Sequence, residues 1–66
     1  MREDGQIASV RKALTLLRTI SEAEKSISLQ MLAEKTGIPK STCVHLLNTL
    51  CECDFVRREE RRSGYI

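Results

Sequence analysis

Tryptophan is missing from this 66-residue chain, and Phe55 and Tyr65 are its only aromatic residues. A core must then be drawn from leucine, isoleucine and valine, a composition that suits local helical packing. Long apolar runs are missing too: nothing approaches the roughly 20 residues of a membrane span, and the N-terminus carries no signal-peptide apolar region. The expected location is the cytoplasm. Charge of one sign is scarce, since eleven Lys and Arg against nine Asp and Glu leave a net +2, too little in itself to identify a nucleic-acid partner. The shortness of the chain excludes most. It can build one small core but cannot enclose a substrate in a deep cleft, so a metabolic enzyme is not expected.

What is present describes a folded soluble domain, with 41% hydrophobic and 30% charged residues. There is no internal repeat, low-complexity tract or interdomain linker. Three cysteines, Cys43, Cys51 and Cys53, invite a metal reading beside His45. On a helix, residues two apart point about 200° away from each other, so Cys51 and Cys53 cannot converge on one ion or pair with each other. Reduced thiols are expected, with Cys43 serving as a small apolar residue, and neither metal nor cofactor is expected.

Residues 1–6, "MREDGQ", have no apolar period and are expected to form a flexible tail ahead of a single domain over 7–66. From Ile7 to about Ala23, apolar residues at Ile7, Val10, Ala13, Leu14, Leu16, Leu17 and Ile20 predict an amphipathic helix. Its stripe is broad. Leu16 and Ile20 stand to one side of the line through Val10, Leu14 and Leu17, which makes them either a merely apolar flank or a dimer contact. After a charged loop, Ser28 is placed to cap a helix over Leu29 to Thr36, and Gly37 to end it in the left-handed conformation. Pro39, the single proline, is suited to open the next helix, from about Pro39 to Cys53, with Cys43, Leu46, Leu47 and Leu50 inward. The remainder, "DFVRREERRSGYI", reads as a strand from Phe55 to about Arg58, a polar turn, and a returning strand at Gly64 to Ile66. The fold class expected is mainly α: a three-helix winged helix-turn-helix with a short C-terminal β-hairpin.

The spacing of small and apolar residues supports a helix-turn-helix that meets DNA. Ala33 lets two short helices approach, Gly37 turns the chain four residues later, and Ile38, Cys43 and Leu46 lock the second helix onto the first. The other face of that second helix carries Ser41, Thr42, Val44, His45 and Asn48, short or neutral groups where Lys and Glu are usual. Such a face lets a backbone come close to base edges while presenting donors, acceptors and a methyl surface. Lys40 is placed to reach a phosphate at the helix N-terminus. Four of the eleven basic residues lie in "RREERR", and Arg57, Arg58, Arg61 and Arg62 suit contact with the DNA backbone. Glu52 points the same way as the neutral face and would repel phosphates, so only the first half of the helix is expected to enter the groove.

"ASVRKALTLLRTI", "LQMLAEKTGIPKSTCVHLLNTL" and "FVRREERRSGYI" together resemble the N-terminal winged helix-turn-helix of the IclR family of bacterial transcription regulators, "TGIPKST" followed by "LLNTL" being the most specific part. The resemblance implies promoter binding to double-stranded DNA as a homodimer or higher oligomer paired through the first helix, which favours the dimer reading of Leu16 and Ile20. It also implies a larger effector-binding domain after the wing, so that a small-molecule effector would act only through a C-terminal domain missing here. Two positions depart from the family pattern. His45 stands where Arg is frequent, and Asp54 where Gly usually follows the recognition helix, a corner that Asp tolerates at some cost. The competing reading is a winged helix used for protein contact without DNA binding.

Overall fold

The computed structural model describes residues 5–59 and 64–66. Three helices, α1 (Ala8–Glu22), α2 (Leu29–Thr36) and α3 (Lys40–Glu52), are accompanied by three two-residue strands, β1 (Ile27–Ser28), β2 (Arg58–Glu59) and β3 (Gly64–Tyr65). The strands form one antiparallel sheet in the order β1-β3-β2, with Tyr65 opposite both Ile27 and Arg58 and Gly64 opposite both Ser28 and Glu59. This is a winged helix-turn-helix. Among the described residues no helix is long and apolar enough to cross a membrane. The tail expected at 1–6 lies outside the described residues as far as residue 4, and so do Arg61 and Arg62.

The helix-turn-helix is held by short-range chemistry. Ser28 caps α2 by accepting a hydrogen bond from the Met31 N–H at 3.1 Å. Gly37 then takes the left-handed conformation, φ 76° and ψ 7°, and its N–H donates to the Ala33 carbonyl at 2.9 Å. The Thr36 hydroxyl donates to the Leu32 carbonyl and accepts from the Ile38 N–H, which fixes the turn from both sides. Pro39 is the residue before α3 rather than its first residue: its ψ of 147° is extended, and its carbonyl accepts the first helical bond from Cys43. Ile38, between these two locks, is driven into the core at 7% exposure.

Leu16, Leu32, Cys43 and Leu47 are fully buried, and Ile20, Ile27, Ile38, Val56 and Tyr65 close around them. This corrects the expectation for α1. Leu16 and Ile20 belong to the interior of the domain, at 0% and 6% exposure, and offer no surface to a second copy. Of the line through Val10, Leu14 and Leu17, Val10 and Leu14 face outward at 52% and 55% exposure, as does Ile7 at 64%, whereas Leu17 packs partly buried against the core. Leu14 and Leu16 point about 200° apart on a helix, so both sides of α1 are apolar and periodicity alone does not say which turns inward. Packing decides, because only Leu16 and Ile20 lie over the junction of α2 and α3, and Leu17 borders it.

The far end of α3 closes with the hydrogen bonds of a Schellman motif: Phe55 N–H to the Leu50 carbonyl at 2.9 Å and Asp54 N–H to the Cys51 carbonyl at 3.0 Å. Asp54 sits at the left-handed position of that motif, with φ 68°. The turn consumes Phe55, which is 67% exposed and outside the sheet, and delays β2 to Arg58. Val56, next in line, drops into the core. At the other strand, Gly64 lies so close to β1 that a Cβ there would sit 3.0 Å from Ser26 Cβ and 3.1 Å from the Ile27 carbonyl oxygen. Because the left-handed region is costly for a residue with a Cβ, Asp54→Gly should raise the unfolding free energy by about 0.5–1 kcal/mol, read as a higher urea midpoint at unchanged slope.

Candidate nucleic-acid interface

The outer surface of α3 begins with Lys40, its first residue, where unpaired backbone N–H groups already favour an anion. Ser41, His45 and Asn48 are exposed and follow at the three- and four-residue steps that place side chains along one face. Thr42 and Val44 are half-buried on the two flanks of that face, about 160° apart around the helix. The five neutral residues therefore form an arc with Ser41, His45 and Asn48 at its centre. None belongs to the core. Thr49 is also exposed on this surface and its hydroxyl donates to the His45 carbonyl at 3.4 Å; the sequence reading overlooked it, although it is one helical turn from His45. Exposed Glu52 closes the arc with a negative charge.

The wing supplies the cations. Arg57 and Arg58 are exposed at its root, where Arg57 and Ile66 exchange backbone hydrogen bonds and extend the ladder between β2 and β3 by one pair. The guanidinium carbon of Arg58 lies over the Tyr65 ring, 5.9 Å from its centroid. Between the wing root and the second half of α3 runs an open groove of about 570 Å³, whose walls include Asn48 and Cys51 on the helix and Arg57, Arg58 and Tyr65 on the wing. Of the predicted site residues, Asn48, Arg57 and Arg58 thus border one concavity, whereas Lys40, Ser41, Thr42, Val44 and His45 do not line it. Arg61 and Arg62, assigned to the same role, fall outside the described residues.

The cysteines behave as three separate groups. Cys43 is fully buried with its thiol directed at the Ile38 carbonyl, 3.5 Å away; Cys51 is half-buried and Cys53 exposed. All three are free thiols. Burial pushes the Cys43 thiol above its ordinary range, because a thiolate there would lose its hydration. No three His, Cys, Asp or Glu residues among those described gather in a way that would hold a metal ion.

Comparison with known proteins settles the relationship. The model of the IclR helix-turn-helix domain matches residues 9–60. The chain belongs to the IclR helix-turn-helix domain family. That is a family of helix-turn-helix regulator domains and not of enzymes. Two curated relatives, the transcriptional repressor IclR of Escherichia coli (strain K12) and the acetate operon repressor of Salmonella typhimurium (strain LT2), are each 41% identical over 54 residues. Those residues are 82% of this chain and 20% of each relative, so the chain spans about a fifth of the length of the relatives it matches. No solved structure matches it.

In this IclR-type domain the thiols give a direct reading of the packing. At mildly alkaline pH a thiol reagent should modify Cys53 first and Cys43 only when the whole domain unfolds. The folded Cys43 thiol gives up its proton at higher pH than the unfolded one. Its contribution to stability is therefore complete below the unfolded thiol range and declines as pH rises through that range toward the folded value. Denaturant midpoints measured across that range should fall for the parent and fall less for Cys43→Ala.

Proposed function

We propose that this domain binds double-stranded DNA sequence-specifically and regulates bacterial transcription in the cytoplasm, with the first half of α3 in the major groove. Ser41, Thr42, Val44, His45 and Asn48 face the bases in this reading, while Lys40, Arg57, Arg58, Arg61 and Arg62 take the phosphates. The observation that carries it is the surface of α3: between Lys40 and Glu52 it presents no charged side chain, and its central residues are free to touch a partner. A neutral helix face flanked by basic groups is what close approach to base edges requires, with the phosphates held on either side. The names of the two repressors, similar over 82% of this chain, support the same function.

Pairing of two such domains is the second part of the proposal. The exposed apolar line of Val10 and Leu14 on α1, continued by Ile7 just before it, is the surface best suited to a second copy, in place of the buried Leu16 and Ile20. A two-fold pair would present two copies of α3 to half-sites one turn of DNA apart, about 34–36 Å, or a multiple of that. Sensing of a small molecule is assigned outside residues 7–66, as the much greater length of the relatives suggests.

Selection of bound sites from random duplexes supplies the operator, and two substitutions then separate the roles. Asn48→Ala should relax base preference at one position, whereas Arg58→Ala should weaken operator and random DNA alike and reduce the salt slope by about one. Equal losses on both DNAs for Asn48→Ala would refute base reading by that residue. Failure of the parent to bind any duplex at low salt would instead favour a protein-docking winged helix. For the pair, Val10→Asp with Leu14→Asp should abolish self-association in sedimentation and remove any dependence of the thermal midpoint on protein concentration, with the helical circular dichroism of the parent kept because both positions are exposed in the single domain. A parent that sediments as a monomer on operator DNA would refute the α1 contact.

A further inference from the structure

The wing holds one arginine differently from its neighbour. Arg57 and Arg58 are both exposed at the root of β2, yet among the described residues an aromatic ring lies against Arg58 and none against Arg57. That ring belongs to Tyr65, which is 6% exposed and sits on the central strand with Ile27 on one side and Arg58 on the other. Tyr65 is thereby anchored to the helical core through β1, while Arg58 belongs to an outer strand of two residues. Left to itself, an exposed arginine on so short a strand would sample many rotamers and lose that freedom on binding.

We propose that Tyr65 is a positioning residue for DNA binding, holding the Arg58 guanidinium at the mouth of the groove between the wing and α3, ready for one backbone phosphate. The inference rests on the DNA-binding reading above. Its chemistry is consistent with the geometry. A guanidinium carbon 5.9 Å from a ring centroid lies within the reach of cation–π attraction. That attraction uses the charge over the ring and leaves N–H donors of the planar fork available for phosphate oxygens. Asn48 borders the same groove, so the phosphate held by Arg58 is one that flanks the base contact proposed for Asn48.

The experiment is a double-substitution cycle read by fluorescence anisotropy on a random-sequence 20-base-pair duplex over a salt series, with thermal midpoints measured in parallel. Tyr65→Leu removes the ring and keeps apolar bulk; it should weaken binding about two- to five-fold, and Tyr65→Phe should restore parent affinity. In the Arg58→Ala background, Tyr65→Leu should cost nothing further. An equal loss in both backgrounds would overturn the proposal, because Tyr65 would then act through the fold and not through Arg58. A second readout does not need Tyr65→Leu to fold. In the free parent protein, the ring current of Tyr65 should move the Arg58 δ-protons upfield of those of Arg57, and coincident shifts would overturn the proposal. A parent that binds no duplex at any salt defeats the DNA-binding reading itself, a result the cycle distinguishes from a parent that binds without coupling between positions 58 and 65.

Discussion

The domain depends on the seam where α1, α2 and α3 meet. Leu16, Leu32, Cys43 and Leu47, one or two from each helix, are fully enclosed there, and in a chain this small they have no second core behind them. The seam also fixes the angle at which α3 leaves the turn. Ile38 is pinned by Thr36 on one side and receives the Cys43 thiol on the other, so the turn and the helix share one set of contacts. Replacing any of the three enclosed leucines by alanine would cost roughly 2–5 kcal/mol, a large share of what a domain of this size has.

That packing explains why α3 can leave its outer surface without charge. A soluble helix usually relies on exposed Lys and Glu for solubility and for pairs one turn apart. Here the inward stripe of Cys43 and Leu47, with Leu46 and Leu50 half-buried beside them, supplies the stability, and the outward arc is released from that duty. Neutral, short side chains then follow, and charge returns only with Lys40 at the start, Glu52 at the end and the arginines across the groove.

Much of this was legible in the residues because the signals were local. The cap at Ser28 and the left-handed Gly37 are each decided by the conformational needs of one or two residues, and the structure places both where chemistry puts them; the corner at Asp54, implied by the family resemblance, is also present with φ 68°. The bounds of α2 follow from two of these stops. Other features depend on neighbours distant in sequence. A strand of two residues, Ile27–Ser28, is too short to show alternation, and Ser28 disguises it further by also serving as a helix cap. The dimer reading of Leu16 and Ile20 failed because both sides of α1 are apolar and only contact with α2 and α3 distinguishes them. Phe55 looked like a strand residue by type, but the bonds that close α3 take it first. Of the site, the helix face could be drawn from spacing, whereas the stacking of Arg58 on Tyr65 is a cross-strand register that no linear pattern discloses.

The strand order has a mechanical side. β3 is the middle strand, and its partner β1 runs directly into α2 with no intervening residue, Ser28 ending one and capping the other. The hairpin is therefore not a loose appendage hinged only at Asp54. Gly64 nests against Ser26 and the Ile27 carbonyl, so any tilt imposed on the hairpin is passed as a pull on the first turn of α2. A force arriving at Arg57 or Arg58 is therefore shared with the helical body at two anchorages, the Asp54 corner and the pairing of β3 with β1.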